Sequence, residues 1–330
     1  MNILVTGGAG FIGSNFCHLL RSPTFEDANI VRKLIVLDKL TYAGRKQNIA
    51  SLTDVQLIEG DILDQALVLK TLKEFEITHI FHFAAESHVD NSINGPAPFI
   101  QTNIVGTFSM LEATREYCKT NQFAKFIHIS TDEVFGDLGE TGCFDEGTPY
   151  APHSPYSASK AASDHLASAW FHTYKIPIII TNCSNNYGPR QFPEKLIPVV
   201  IHKAISGSAI PVYGQGQNIR DWIYVDDHNY GVWLAAKNGK LGESYCLGAR
   251  QEVKNIDLVQ KICAILDEIK PKSIGKYADQ IQFVEDRLGH DFRYAINPTK
   301  AEQELHFSCK MRTIEEGLKQ TISWYLSELR

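Results

Sequence analysis

Residues 2–14 read NILVTGGAGFIGS, and the reading of that stretch decides the fold. An apolar run, Ile3 to Thr6, ends in Gly7, Gly8, Gly10 and Gly13 and passes directly into FIGSNFCHLLR, which has helical period. Glycines let a backbone turn tightly and come close to a pyrophosphate, while the free amides at a helix start attract its negative charge. A merely Gly-rich turn needs neither the strand before it nor the helix after it. The stretch is therefore read as a dinucleotide-binding turn.

The rest of the chain agrees. Short β-branched runs at 34–37, 55–58, 79–83, 125–130 and 178–181 alternate with longer stretches of helical period. That alternation predicts a Rossmann-type, doubly wound parallel α/β sheet with helices on both faces. The runs are continuously apolar, as strands covered on both sides are. After about residue 182 the pattern changes to Pro- and Gly-punctuated pieces, YGPRQFPEKLIP and PVYGQGQNIRDW, with helical segments at 255–269 and 313–329. The expected organisation is a nucleotide-binding domain at 1–182 and a smaller α/β substrate lobe at 183–330, with an approximate boundary, segments free to interleave, and the ligand between them.

The second strand ends in LIVLD. Asp38, about twenty-five residues beyond Gly13, is placed to hydrogen-bond adenosine ribose hydroxyls. A carboxylate there repels a 2′-phosphate, so NAD is expected rather than NADP, a preference that the adjacent Lys39 weakens. Asp61 in EGDI either holds the adenine edge or caps a helix before Ile62 and Leu63.

Tyr156-Ser-Ala-Ser-Lys160 opens a long helical stretch, and i,i+4 spacing sets both side chains on one face. A phenol with an ordinary pKa near 10 acts as a base near neutrality only beside positive charge, which Lys160 and an oxidised nicotinamide supply. The pair implies alcohol oxidation.

STDEVFG at 130–136 follows a buried strand and so lies where ligands bind in open parallel sheets. Simple alcohol oxidation has no use for Asp132 and Glu133 together. Once a sugar hydroxyl has become a ketone, the hydrogen on the neighbouring carbon is acidic. One carboxylate can remove it, and a carboxylic acid can protonate a hydroxyl one carbon further so that it leaves. The two acids then need pKa values pushed apart by their surroundings.

Bulk properties narrow the partners. The chain has 330 residues, 44% hydrophobic, and a formal charge of -6, which argues against a broad nucleic-acid footprint. Seven cysteines, odd in number and without a Cys-x-x-Cys pair, read as reduced thiols of a cytoplasmic protein. The first strand begins at Asn2, and no apolar run approaches the roughly 18 residues of a membrane span, so neither a signal peptide nor a membrane partner is expected. His79, His82 and His88 suit no common zinc spacing, and Tyr224, Asp226, Asp227 and His228 read as a strand passing into a capped helix, so no metal is expected.

TGGAGFIGSN, DKLTYAG, FHFAAESHVDNSI, TNIVGT, STDEVFG, YSASKA, CSNNYGPRQFPEKLIP, RDWIYVDDH and EDRLGHDFRYAI together resemble the dTDP-glucose 4,6-dehydratase family, in the nucleotide-sugar branch of the extended short-chain dehydrogenase/reductases. The resemblance runs through nearly the whole chain. It implies a lyase of deoxysugar pathways such as rhamnose and polysaccharide formation, acting on dTDP-glucose with NAD regenerated in place. Tyr156 and Lys160 oxidise C4, Thr131 positions that hydroxyl, Glu133 removes the C5 proton and Asp132 protonates the C6 hydroxyl.

By the same resemblance Phe11, Ile12, Asp38, Lys39, Leu40, Thr41, Asp61, Ile62, Ala84, Ala85, Glu86, Ser87, Thr102 and Asn186 surround NAD. Ser87, Asn185, Lys195, Leu196, Pro211, Tyr213, Arg220, Asn255, Arg287 and His290 surround the substrate, chiefly its nucleotide and diphosphate. Guanidinium groups at 220 and 287 suit bidentate phosphate contact. Family members usually carry Tyr at Phe135 and Arg at Asn91, and Arg190 and Leu288 also depart from common choices. A homodimer through helices at 96–119 and 155–175 is implied as well. A 4-epimerase would need the glycines and Tyr156 with Lys160 but not the acid pair, a GDP-mannose dehydratase typically uses NADP, and a non-catalytic nucleotide-binding protein often loses the Tyr/Lys pair.

Overall fold

A computed structural model describes residues 1–328. The apolar runs become strands β1 (Asn2–Thr6), β2 (Lys33–Asp38), β3 (Gln56–Glu59), β4 (His79–His82), β5 (Lys125–Thr131) and β6 (Ile178–Cys183). The punctuated second half adds β7 (Asn185–Tyr187), β8 (Ile210–Tyr213), β9 (Ile219–Tyr224), β10 (Ser244–Leu247), β11 (Glu252–Lys254) and β12 (Ile281–Val284). Seven of them form one sheet in the order β10-β6-β5-β4-β1-β2-β3, every pairing parallel. β1 and β6 are buried along their whole length, as central strands under helices on both faces must be.

The helices are α1 (Phe11–Leu20), α2 (Gln65–Glu74), α3 (Val89–Asn94), α4 (Ala97–Phe99), α5 (Thr107–Cys118), α6 (Pro155–Tyr174), α7 (Leu196–Ile205), α8 (Val225–Asn238), α9 (Asn255–Ile269) and α10 (Ile314–Glu328). A π-helical stretch, Ile100–Gly106, joins α4 to α5. Two apolar clusters sandwich the sheet. One gathers Phe16, Phe81 and Ile223 with Trp233 of α8, and the other gathers Leu72, Leu111 and Phe126 under α2 and α5.

The start of α6 is fixed by its sequence. Ser154 and Ser157 form a reciprocal capping box and Pro155 occupies the first turn, where its missing N–H costs nothing. The helix therefore begins at the point that sets Tyr156 and Lys160 against the end of β5.

The two segments interleave across the 182/183 boundary. β10 pairs with β6 in register Ser244↔Ile180, and α8 packs on α1, β5 and β6, so residues 225–247 return to the first sheet. Sequence punctuation marks where the second lobe begins but not that the chain comes back. The second lobe proper holds the β11-β9-β7 and β12-β8 sheets over a separate core that includes Ile201, Leu258 and Leu318.

Candidate active site

Beyond the carboxyl ends of β1, β2, β4, β5 and β6 lies a cleft of about 500 Å³ that runs on between the lobes. Strand order reverses direction between β1 and β4, which is where open α/β sheets bind ligands. Every site residue expected from the sequence lines this cleft except Leu40. Leu40 instead adopts a left-handed backbone (φ 56°) and donates its amide to Asp38 Oδ1 at 2.8 Å.

The turn after β1 is built by its glycines. Gly7 has φ +68°, and a Cβ there would lie 2.7 Å from the Ala84 amide nitrogen; at Gly13 it would lie 2.4 Å from the Gly7 carbonyl. At Gly10 it would meet little besides that carbonyl at 3.3 Å, so this face of the turn opens to the cleft. No side chain caps α1 and no acid stands in its first turn, leaving its leading amides free for an anion. Asp38 is buried and held by the amides of Ala9 (2.9 Å) and Leu40; burial raises its pKa and those amides pull it back. A phosphate-accepting turn with a fixed carboxylate one strand away fits an adenine dinucleotide without a 2′-phosphate.

Asp61 is not the cap of α2. Its Oδ1 accepts from Leu63 N (3.0 Å) and its Oδ2 pairs with Lys39 Nζ (2.6 Å), while Asp64 caps the helix through Leu67 N (2.9 Å). The loop carrying Ala84, Ala85, Glu86 and Ser87 is pinned by Asn103 from the π-helical stretch. Asn103 exchanges bonds of 2.8 and 2.9 Å with the Glu86 backbone and donates to Ser159 Oγ at 2.8 Å. Residues in TNIVGT signal this role only as part of a motif, because a π-turn has no simple periodicity.

Thr131 ends β5 and caps the short 3-10 turn Asp132–Phe135. Its Oγ1 accepts from Glu133 N at 3.3 Å and donates to Asp132 Oδ1 at 3.2 Å. Burial, then the charges of Glu133 and Asp221, push the Asp132 pKa well up, and its Oδ2 has no partner among the described residues. Burial also raises Glu133, but Lys195, Arg287 and Arg220 pull it back toward ionisation. Both carboxyls are thus raised, Asp132 well above its ordinary value, whereas three cations oppose the rise at Glu133.

Tyr156 is buried beside these acids, and burial and the Glu133 charge raise its pKa well above the ordinary phenol. Lys160 directs its Nζ to Ile129 O at 2.8 Å. The protein alone therefore holds Tyr156 as a phenol, and a further positive charge is needed to make it a base.

Across the cleft, Lys195 Nζ donates to Ser87 O at 2.6 Å, Arg287 Nη1 pairs with Asp90 Oδ1 at 3.2 Å, and Tyr213 OH donates to Asp90 Oδ2 at 3.2 Å. Arg220 was expected at a phosphate. Its guanidinium donates to the carbonyls of Ile219, Phe292 and Asp291 and lies 4.3 Å from the Tyr294 ring, which leaves its charge facing Glu133 and Asp132. His290 pairs with Asp286 at 2.6 Å.

Lining residues that sequence reasoning did not single out include Asp90, Cys183, Glu194, Trp222 and Tyr294. Several stand inside the quoted motifs, but none carries a local spacing signal. His88 caps α3 through Asn91 N at 3.2 Å, and His79 and His82 are buried in β4. Tyr224 gives α8 no side-chain cap; Asp227 accepts instead from the amides of Lys310 and Met311 at 2.8 and 2.9 Å. Among the described residues no cluster of three metal-ligating side chains occurs, and no helix is long and apolar enough to cross a membrane.

Of the departures, Phe135 is buried between Phe144 and Tyr150, Asn91 donates to Tyr42 OH at 3.4 Å, Arg190 donates to Asn15 Oδ1 at 2.8 Å, and Leu288 is exposed.

The parallel sheet, its glycine turn and a Tyr/Lys pair on the helix beside β5 define a Rossmann-fold protein of the extended short-chain dehydrogenase/reductase type. Residues 4–321 match the family described as GDP-mannose 4,6 dehydratase. A curated dTDP-glucose 4,6-dehydratase of Xanthomonas campestris pv. campestris (strain B100) is 51% identical over 333 residues, covering 98% of this chain and 93% of its own. The solved dTDP-glucose 4,6-dehydratase DesIV from Streptomyces venezuelae, with NAD and TYD bound, superposes with TM-score 0.91 at 39% identity, covering 99% of this chain and 97% of its own. A UDP-glucose 4-epimerase from Thermotoga maritima, with UDP-glucose, has TM-score 0.87 at 27% identity, with 100% of each chain covered. The chain belongs to the nucleotide-sugar 4,6-dehydratases, in the dTDP-glucose 4,6-dehydratase family.

Proposed function

We propose that this protein is an NAD-dependent dTDP-glucose 4,6-dehydratase, a hydro-lyase that forms dTDP-4-keto-6-deoxyglucose and water for deoxysugar biosynthesis. The observation that carries the reading is the adjacent pair Asp132 and Glu133, lining the cleft of Tyr156 and Lys160, with burial holding Asp132 well above its ordinary pKa and Lys195, Arg287 and Arg220 opposing the rise at Glu133.

Bound NAD would supply a hydride acceptor for C4 and donor for C6, and a positive charge to offset the burial that keeps Tyr156 a phenol. The α1 amides and Gly10 hold the pyrophosphate, and Asp38 holds the ribose. Thr131 orients the C4 hydroxyl while Tyr156, with Lys160 beside it, accepts its proton. Glu133 then removes the proton at C5, made acidic by the new ketone. Asp132 gives its proton to the C6 hydroxyl, which leaves as water. A proton returns to C5 from Glu133, and the proton taken by Tyr156 replaces the one Asp132 gave. Lys195, Arg287, Asn185, Asn255 and Tyr213 hold the nucleotide diphosphate end.

The protein works in the cytoplasm as a homodimer through α4–α5 and α6. Ile100, Val105 and Phe108 on the first and Tyr174 on the second are apolar and exposed, which supports that pairing.

Purified protein, given no reductant, is incubated with dTDP-glucose, UDP-glucose, UDP-galactose and GDP-mannose, and the products are weighed. Loss of one water from dTDP-glucose, with the C4 hydrogen recovered at C6, is expected. An isomer of unchanged mass means epimerisation, and no product from any sugar overturns the reading. A monomer mass by sedimentation on the same sample overturns the dimer.

A further inference from the structure

Behind the reacting groups lies a buried carboxylate that the mechanism above leaves unused. Asp164 is 1% exposed and stands one helical turn beyond Lys160 on α6. Its Oδ1 accepts from His128 Nε2 at 3.0 Å; its Oδ2 accepts from Ser130 Oγ at 2.7 Å, Tyr150 OH at 2.9 Å and Asn182 Nδ2 at 3.4 Å. Four donors thus converge from β5, β6 and the segment before α6. The same Asn182 Nδ2 also reaches Thr131 O at 3.2 Å, the carbonyl of the residue that orients the acid turn.

A carboxylate removed from water needs either full hydrogen bonding or a countercharge; Asp164 has the first, and the buried Lys160 lies one helical turn away without a direct ion pair. Lys160 is in the same position with fewer partners: it is 5% exposed, and its Nζ bonds to the neutral Ile129 carbonyl. We propose that Asp164 is a positioning residue of the reaction, supplying the buried countercharge that keeps Lys160 an ammonium while its hydrogen bonds lock the end of β5 onto α6. The proposal rests on the function assigned to Tyr156 and Lys160.

The charged and titratable groups that face Lys160 come from four elements. His82 on β4 and His128 on β5 face Lys160; burial depresses both, and neither can supply Lys160 with a negative charge. Cys183 on β6 also faces it, and burial pushes this thiol up, so it stays neutral too. Tyr156 lies on α6 itself. Burial lowers Lys160, and Asp164 is the first influence that opposes it. Against the upward push of burial, the bond and charge of His128, then the Lys160 charge and the Ser130 bond, hold Asp164 below its ordinary value.

Asp164→Asn removes the charge and keeps most donors satisfied. In protein labelled with 13C at lysine Cε, with the Lys160 signal assigned through Lys160→Met, its titration in Asp164→Asn is expected at least about one pH unit lower than in wild type. The alkaline limb of kcat is expected to move down with it, at nearly unchanged KM. Tyr150→Phe deletes one bond to the same carboxylate but no charge, and is expected to lower the melting temperature and leave both titrations in place. A Lys160 titration unmoved by Asp164→Asn overturns the proposal, whatever happens to turnover. Should Asp164→Asn not fold, Lys160→Met/Asp164→Asn is expected to fold, because no unpaired ammonium is left inside; failure of the double variant also overturns it. If the Lys160 signal behaves as expected but wild type dehydrates no nucleotide sugar, the assigned function fails and the Asp164–Lys160 coupling stands.

Discussion

Asp132 is placed where a carboxyl group is least comfortable, with burial, Glu133 and Asp221 all favouring its neutral form. A carboxyl whose folded pKa is raised binds a proton more tightly folded than unfolded. Its contribution is therefore fully present below the unfolded pKa near 4 and is lost as pH rises toward the folded value. Asp132→Asn, which cannot ionise, is expected to melt higher than wild type at pH 8 and no higher at pH 4, as differential scanning calorimetry at the two pH values would show. The same variant should lower kcat by about 10²- to 10⁴-fold, the range for losing a general acid. The acid pair was legible as a pattern because its position after a buried strand is a sequence property. Which acid keeps its proton came only with the family resemblance and not from local pattern, since Lys195, Arg220, Arg287 and Asp221 come from distant segments.

The turn between β1 and α1 was readable almost completely, because strand, glycines and helix are contiguous and each glycine answers a local demand. The glycines differ in what they tolerate. A Cβ at Gly13 would collide with the Gly7 carbonyl and the Gly8 Cα (2.9 Å), both backbone, so the turn must move; a Cβ at Gly10 projects toward the cleft. Gly13→Ala is expected to lower both the melting temperature and NAD affinity. Gly10→Ala is expected to weaken NAD binding at least about tenfold, about 1.4 kcal/mol, with stability nearly unchanged. Calorimetric titration with NAD alongside thermal melts separates the two. Elements held by non-local contacts were less legible. The π-helical stretch that presents Asn103 breaks the 3.6-residue period, and β7 and β11 are three residues each, too short for alternation to register.

At the scale of the whole molecule, the fold class and the position of the cleft follow from the alternation of strands and helices, whereas the path of the chain between lobes does not. Residues 225–247 cross back to complete the large sheet, and nothing in their composition distinguishes a returning strand from a local one. That return has a consequence for synthesis. A ribosome that has released residues 1–182 has delivered six strands but neither the seventh nor α8, so the β6 edge and the sheet face that Trp233 covers are still bare. The nascent first lobe must wait, a candidate for chaperone retention, until the later segment emerges. A fragment ending at residue 182 is accordingly expected to aggregate or bind ANS strongly, while one extended to residue 250 gains near-UV circular dichroism. A soluble, well-packed 1–182 fragment would show instead that the seventh strand is dispensable to nucleation.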